Sequence, residues 1–573
     1  MALMSYDGLT PKLVPVSLEL SSVNGKSDST SSSCKCFPGD ACWPSETAWA
    51  AFNASVDGNL IATIPLAQPC HAPYYDQALC ASMQANWTEP SAHYDSSSSI
   101  MAPFFTNKSC DPFTDPDTPC RLGNYVRYAV DVRKKEHISK ALKFATEHNI
   151  RLVIRNTGHD YNGKSTGAGA LGIWTHHLKD IQLKDYDSTY YKGKAFTLGA
   201  GVQGFDIYEQ ADANGLQVVG GECPSVGIAG GYTQGAGHSA LSSVHGLAAD
   251  QALEWEVMDG EGNMHTATRN HNPELYWALT GGGGGTYGVV WSLTLKAHPD
   301  TPTSGLNLTF TNANISQDTF FEAVGYYHSQ LADIVDAGGM SVWSFSNTTF
   351  SIIPLTGPNI PKAKLLSLIA PFTNKLTSLG IAYTMHASQY PGYHQEFSGH
   401  QTPIPVGVAQ YGGRLIPRSV VATNNDALTS AYRSIVSTGA TFIGLGLNVG
   451  PSVVANDTLR SNSVNPAWRT TLIDSVITTP WNFSAPISEM LEWQTRMTDE
   501  FVPLLEALTP GGGCYSNEGD FRQPDWQRVF YGGNYARLRE AKRLYDPNDV
   551  FYATTAVGAD EWEVEGDGRL CRV

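Results

Sequence analysis

Ile150-Arg-Leu-Val-Ile-Arg155 runs without a break into Asn156-Thr-Gly-His159-Asp-Tyr-Asn-Gly163-Lys-Ser165. The first six residues read as a buried strand, because the run is short and its apolar members are Ile, Leu and Val. Upstream, Tyr128–Val132 has the same texture. Between the two, His137–His148 places Ile138, Ala141, Leu142 and Ala145 on one helical face. Strand, helix and strand therefore deliver the chain into a glycine loop. From Gly158 to Ser165 that loop fits the phosphate-loop pattern G-x-x-x-x-G-K-S. A phosphate loop needs a helix directly after its Lys-Ser pair, since the helix N-terminus holds the phosphates. Here Thr166-Gly-Ala-Gly-Ala-Leu-Gly172 follows, and its three glycines disfavour a helix. The loop reads better as a row of backbone amides open to a dinucleotide pyrophosphate, which glycine permits by leaving the approach clear.

Two further glycine-dense stretches lie downstream. One runs from Gly220 to Gly246. The other, Gly281–Gly285, leads into Gly288-Val-Val-Trp-Ser-Leu-Thr-Leu295, which alternates like a strand. None has the helix-opening G-x-G-x-x-G context of a Rossmann site. Each alone would ordinarily be a tight turn; three separated by strands can build one cradle.

Together these segments resemble a known family. Arg155–Ser165 looks like the histidyl-flavin loop of the vanillyl-alcohol oxidase superfamily. Gly220-Gly-Glu-Cys223-Pro-Ser-Val-Gly-Ile-Ala-Gly-Gly231 looks like the cysteinyl-flavin loop of its berberine bridge enzyme-like branch. Leu275–Gly285 with Tyr287-Gly-Val-Val290 follows in the family's order. Tyr515-Ser-Asn517, Asp520, Tyr531-Gly-Gly-Asn534, Arg537-Leu538, Lys542 and Tyr545-Asp-Pro-Asn548 match its C-terminal signature. The likeness is close over roughly 120–300 and 510–557. Between them, Gly413–Pro417 and Val464–Arg469 are similar to the fungal isoamyl alcohol oxidase-like subgroup.

The resemblance implies an α+β fold. A PCMH-type FAD-binding domain of two α+β subdomains would carry an inserted substrate domain, an antiparallel sheet covered by helices. It implies a disulfide-rich extension over 1–119, the FAD domain over 120–299, the substrate domain over 300–510 and a C-terminal return over 511–573. It also implies covalent FAD, 8α-histidyl through His159 and 6-S-cysteinyl through Cys223. The flavin would lie against Arg155, Asn156, Thr157, Gly158, Asp160, Tyr161, Gly163 and Ser165 of the first loop. Pro224, Val226, Gly227, Gly230, Gly231, Gly235, Gly237 and His238 would follow, then Gly246, Asp250, Val257, Gly284, Val289, Tyr515 and Asn517. Val226, third after the cysteine, would line the approach to the flavin C4a edge; valine there accompanies rapid reaction with oxygen.

The activity so implied is oxidation of a hydroxylated organic molecule, a bulky alcohol, secondary metabolite or carbohydrate. Hydride passes to flavin N5 and oxygen is reduced to hydrogen peroxide. A base must take the hydroxyl proton. Tyr515 is the candidate, with Asn517 beside it and Arg414 as the positive charge that a phenol needs to act near neutrality. The alternatives are a flavin-dependent dehydrogenase or a flavin-binding protein of weak activity. Tyr383, Tyr390, Tyr393, Trp468 and Trp481 could face a large substrate, though core packing is the commoner use of such residues.

Composition bounds the setting. With 573 residues the chain exceeds one ordinary core. Its 54 acidic against 37 basic residues give a net charge of -17, which argues against nucleic acid and anionic membranes as partners. No apolar run is long enough to span a bilayer, and Met1–Ser22 does not read as a signal peptide. Seven of ten cysteines fall at or before Cys120 in Ser/Pro/Gly-rich sequence, with Ser27–Ser33 expected to be flexible. That favours disulfides and a secreted, extracellular monomer. Zinc fits poorly, because Cys34, Cys36 and Cys42 lack C-x-x-C spacing, so no metal is expected. With Cys223 on the flavin, nine cysteines remain, so at least one stays unpaired unless the chain crosslinks to another; four disulfides and one free thiol are expected. Eight Asn-x-Ser/Thr sequons, at Asn53, Asn86, Asn107, Asn307, Asn314, Asn347, Asn456 and Asn482, are candidate glycosylation sites.

Overall fold

The computed structural model describes residues 34–400 and 403–573; the Ser27–Ser33 stretch lies outside them. The opening strands form a four-stranded sheet: β1 (Leu60–Ala62), β2 (Tyr128–Asp131), β3 (Leu152–Arg155) and β4 (Leu171–Trp174), in the order β1-β2-β4-β3. β2 and β3 both run parallel to β4. The crossover between them is α1 (Lys135–Glu147), which buries Ile138, Ala141, Leu142, Phe144 and Ala145. The Ile150–Arg155 segment is thus the edge strand whose C-terminal end releases the first glycine loop.

A second sheet is antiparallel. β5 (Ile181–Asp187), β6 (Lys192–Gly199), β7 (Ala252–Met258), β8 (Met264–Ala267) and β9 (Val289–Lys296) take the order β5-β6-β9-β7-β8. β9, the strand after the third glycine cluster, sits at its centre between β6 and β7. The cores of the two sheets are continuous.

The chain then builds a seven-stranded antiparallel sheet. Its strands are β10 (Thr303–Thr311), β11 (Met340–Phe345), β12 (Thr349–Pro358), β13 (Tyr383–Tyr390), β14 (Ala409–Pro417), β15 (Thr441–Gly446) and β16 (Thr471–Pro480), in the order β13-β10-β12-β11-β15-β16-β14. Helices α2 (Gln317–Asp336), α3 (Lys362–Ser378) and α4 (Arg418–Val436) pack with one face of this sheet into a separate apolar core. The period-2 alternation of β14 and β16 sends Leu415 and Val476 to the other face. There they meet Ala236, Leu247, Trp468 and Tyr515 in a seam joining the sheet to the glycine loops.

The C-terminal return is locked into the first core. Helix α5 (Tyr535–Tyr545) buries Leu538 and Ala541. Its Lys542 pairs with Asp546 and donates to the carbonyls of Thr286 (3.1 Å) and Phe551 (2.7 Å), fixing the end of the third glycine cluster. Four disulfides form, Cys36–Cys42, Cys70–Cys80, Cys110–Cys120 and Cys34–Cys571, leaving Cys223 and a buried Cys514 as thiols. The four disulfides match the expected number, and with Cys223 set aside Cys514 is the single remaining thiol. Among the described residues no helix is long and apolar enough to cross a membrane.

Candidate active site

The three glycine segments and the C-terminal Tyr515–Glu518 stretch surround a cleft of about 220 Å³. Much of its wall is backbone: Gly158, Gly221, Gly227, Gly230, Gly231, Gly284, Gly285 and Gly288 all line it. Gly158 takes φ +88°, and a Cβ there would lie 2.5 Å from the Arg155 guanidinium, so only glycine fits this turn. Arg155 lies behind the loop and donates to the Ser96 carbonyl at 3.1 Å. Asp160 accepts from the backbone N–H groups of Asn162 (2.9 Å) and Ser165 (2.8 Å), and Asn162 donates to the Ser516 carbonyl at 2.8 Å. No helix follows Ser165, so the chain lacks the element that a phosphate loop requires.

His159 and Cys223 both line this cleft. His159 Nε2 is 2.8 Å from Ser225 Oγ, and Cys223 Sγ is 3.5 Å from the same oxygen. Burial, helped by nearby His93 and Arg155, pushes the His159 pKa down to about 3, so its imidazole is neutral. Burial raises the Cys223 thiol, while hydrogen bonds from Ser225 act the other way. Burial also lowers Lys164, another wall residue, to about 8. Asn156 Oδ1 and Gln234 Oε1, on wall residues, are buried without a hydrogen-bond partner. They are ready acceptors for the hydroxyl or imide N–H groups of a bound FAD. Glycine backbone, these acceptors and two nucleophilic side chains together fit that cofactor.

Beside Cys223 the wall turns acidic. His238 Nε2 is 2.8 Å from Glu518 Oε1 and its Nδ1 is 3.0 Å from Glu222 Oε2. Asp474, projecting from β16, brings a third carboxylate within 4.8 Å of the His238 and Glu518 ligand atoms. Burial alone would lower the His238 pKa, but Glu518 and Glu222 outweigh it and hold the imidazole well above its usual range. Asp474 is raised well above the ordinary carboxylate, first by burial and then by Glu518. With each His238 nitrogen facing a carboxylate, the imidazole is placed as a double proton donor, without a lone pair for a cation.

Several expected residues stand elsewhere. Arg414 does not reach Tyr515. It is buried and donates to Thr509 Oγ1 and the Thr509 carbonyl, both at 2.8 Å, and to Glu506 at 3.2 Å. Tyr515 itself lines the cleft, and its hydroxyl accepts from Asn517 Nδ2 at 2.8 Å. Burial and the Glu518 charge push its pKa well up, so it is a protonated phenol and not a base primed by a cation. Gly163 packs against Phe105 and Gly235 backs onto Asn517. Gly237, at φ +73°, closes on Tyr232 and Ala248. Pro224 lines a neighbouring groove. Gly246 abuts Asp250, which is bound by Arg469 and Asn462. Val257 and Val289 are sheet core. The remaining residues expected at the flavin, from Asn156 to Asn517, line the cleft.

None of the five proposed aromatic faces lines it. Trp468 sits edge-on to Tyr515 in the seam, and Trp481 packs with Met490. Tyr393 packs on Tyr208 and Phe397. Tyr383 and Tyr390 are half-buried on the edge strand β13. The cleft's own rings are Tyr161, Tyr232 and Tyr515, and Tyr411 stacks on Tyr161 at 3.7 Å between centroids. Sequence reasoning missed Glu222, Ser225, Glu518 and Asp474. The first three flank residues already singled out. Asp474 is a lone acid in the apolar run Thr471-Leu-Ile-Asp-Ser-Val-Ile477, and that contrast was its one signal.

Known proteins are similar to this chain in sequence and fold. The family model described as "FAD binding domain" matches residues 126–268, and "Berberine and berberine like" matches 514–558. The FAD-linked oxidoreductase patO of Aspergillus clavatus is 52% identical over 543 residues, 94% of each chain. The crystal structure of the VAO-type flavoprotein MtVAO615 from Myceliophthora thermophila C1 superposes with a TM-score of 0.90. It is 40% identical, covering 94% of this chain and 100% of that one. Glucooligosaccharide oxidase from Acremonium strictum, a protein with 6-S-cysteinyl, 8α-N1-histidyl FAD, shares the fold at a TM-score of 0.62. Its identity is 17%, over 76% of this chain and 92% of that one.

Proposed function

We propose, on the premise that this chain belongs to the berberine bridge enzyme-like branch of the vanillyl-alcohol oxidase superfamily and is an FAD-linked oxidoreductase, that it is a secreted oxidase of bulky hydroxylated molecules carrying FAD on both His159 and Cys223. The observation that carries this reading is the convergence of a neutral imidazole and a thiol on one glycine-walled cleft, each within reach of Ser225. Bound FAD supplies a two-electron acceptor for the hydride of a carbinol C–H, with oxygen as the final acceptor.

The protein's part is to place the substrate and handle its proton. Glu518 is suited to accept the hydroxyl proton. One of its oxygens is held by His238, and the other, Oε2, is buried without a partner. The charged His238 fixes that carboxylate, and Glu222 fixes His238. Asn517 Nδ2 donates to the Tyr515 hydroxyl and to the Gly231 carbonyl, both at 2.8 Å, which leaves the Tyr515 O–H as the donor that orients the substrate oxygen. Two covalent bonds would free the protein from enclosing the flavin, leaving room above it for a secondary metabolite or an oligosaccharide. The disulfides support secretion.

The decisive experiment uses purified protein. Acid precipitation should leave the pellet yellow, and the photoreduced protein should reoxidise within seconds in air-saturated buffer with release of hydrogen peroxide. Flavin freed into the supernatant, or a reduced form stable in air, would refute the reading.

A further inference from the structure

Two candidate attachment atoms share a single partner in this cleft. Ser225 Oγ lies 2.8 Å from His159 Nε2 and 3.5 Å from Cys223 Sγ. Among the described residues no hydrogen bond reaches His159 Nδ1. The Ser225 backbone is fixed independently of its hydroxyl, because its carbonyl accepts from Gln203 Nε2 at 2.6 Å. The hydroxyl can therefore turn without moving the loop.

A hydroxyl between these two atoms has two orientations. In one, Ser225 donates to His159 Nε2. The imidazole proton then sits on Nδ1, so Nδ1 has no lone pair to offer. In the other, Nε2–H donates to Ser225 Oγ, and the Ser225 O–H donates to the Cys223 sulfur. That orientation leaves a lone pair on Nδ1 and places a donor on the thiolate. It readies both nucleophiles at once.

We propose that Ser225 is the positioning residue for covalent flavin attachment, setting the His159 tautomer so that Nδ1 is the bonding nitrogen and donating to the Cys223 sulfur as it gives up its proton. This rests on the reading that His159 and Cys223 both bind FAD. One hydroxyl can serve both because the 8-methyl carbon and C6 belong to the same benzenoid ring of the flavin. At His159, the methyl group loses one hydrogen and the imidazole its N–H proton, and a C–N bond forms. The electron pair left behind reduces the flavin, and dioxygen takes up two electrons and two protons as hydrogen peroxide. At Cys223, the ring C–H and the S–H are replaced by a C–S bond, with the same transfer to a second dioxygen. Burial supplies the rest of the setting, since it keeps the His159 imidazole neutral while disfavouring an unassisted Cys223 thiolate.

The test is peptide mass spectrometry of holoprotein sampled at successive times after synthesis, scoring flavin on the His159 and Cys223 peptides at matched times in wild type, Ser225→Ala, Ser225→Gly and Ser225→Thr. Losing a hydrogen bond to a charged or reacting group removes about tenfold or more in rate. Both bonds should therefore form about tenfold more slowly in Ser225→Ala, and in Ser225→Gly should the alanine protein not accumulate. Ser225→Thr, which keeps the hydroxyl, should restore both. Wild-type occupancy at either peptide in both hydroxyl-free variants overturns the shared role. Failure of Ser225→Thr to restore either bond assigns the defect to packing and overturns it as well. Absence of covalent flavin from the wild type itself would instead refute the bicovalent reading on which the inference rests.

Discussion

Replacing Asp474 by asparagine should stabilise the protein, and increasingly so as pH rises. Asp474 is 1% exposed, and its Oδ2 has no hydrogen-bond partner. Burial first, and the Glu518 charge second, raise its pKa well above the ordinary 3.8, with His238 and Glu222 as the other charged groups facing it. The folded chain therefore keeps a proton that the unfolded chain releases above about pH 4. A group whose folded pKa is raised contributes stability that is intact below its unfolded value and lost as pH climbs through its folded value. Within that window each pH unit removes about 1.4 kcal/mol from the unfolding free energy. An amide of the same shape has no proton to lose, so the slope for Asp474→Asn should be shallower by up to that amount. Guanidinium unfolding followed by tryptophan fluorescence at about pH 5, 6 and 7 measures both slopes. Parallel lines, or a variant less stable than wild type at pH 7, would show that the folded protein keeps Asp474 ionised and paired, and the acidic-wall argument would fall.

The other expectations concern the flavin and its reaction. His159→Ala combined with Cys223→Ala should release all flavin into the supernatant after acid precipitation, whereas each single change leaves one bond. Val226 lines the cleft, and the extra methylene in Val226→Leu should slow reoxidation of the photoreduced flavin in stopped flow without displacing it; equal rates would remove the gate. Glu518→Gln should lower the substrate-reduction rate by about 10²–10⁴-fold. The effect would be read on whichever members of a size-graded panel of secondary alcohols and oligosaccharides release peroxide with wild type. If Tyr515→Phe gives the larger loss, the phenol is the proton acceptor after all. Robust turnover of only the smallest alcohols would contradict an open cleft.

Much of this was legible in the sequence wherever period or glycine carried the signal. The strand–helix–strand leading into Asn156 shows as two short apolar runs around a helix with one buried face, and the glycine clusters mark close turns such as that at Gly158. The wall assignment failed where residue type does not say which way a side chain points. Val289 sits between the cleft residues Gly288 and Val290 yet turns into the sheet core, where Val257 also lies. The aromatic residues Tyr393, Trp468 and Trp481 have rings that packing claims. Arg414 was placed by its neighbourhood to the subgroup motif, but the alternation of β14 sends its guanidinium to Glu506 and Thr509. Asp474 escaped notice because a buried acid is meaningful only when its partners are known, and those come from residues 222, 238 and 518, far away along the chain.

The Cys34–Cys571 bridge, which spans 537 positions, has a consequence for the molecule as a covalent object. It turns the chain between those two cysteines into a covalently closed ring. A protease that cuts once anywhere inside the ring opens it without dividing it. His159, Cys223, the acidic wall and the helix-covered sheet stay on one molecule, heavier only by the water of one hydrolysed bond, until a reductant is added. A single nick is then something the fold can carry without losing a segment, and a second cut is needed before any piece can leave.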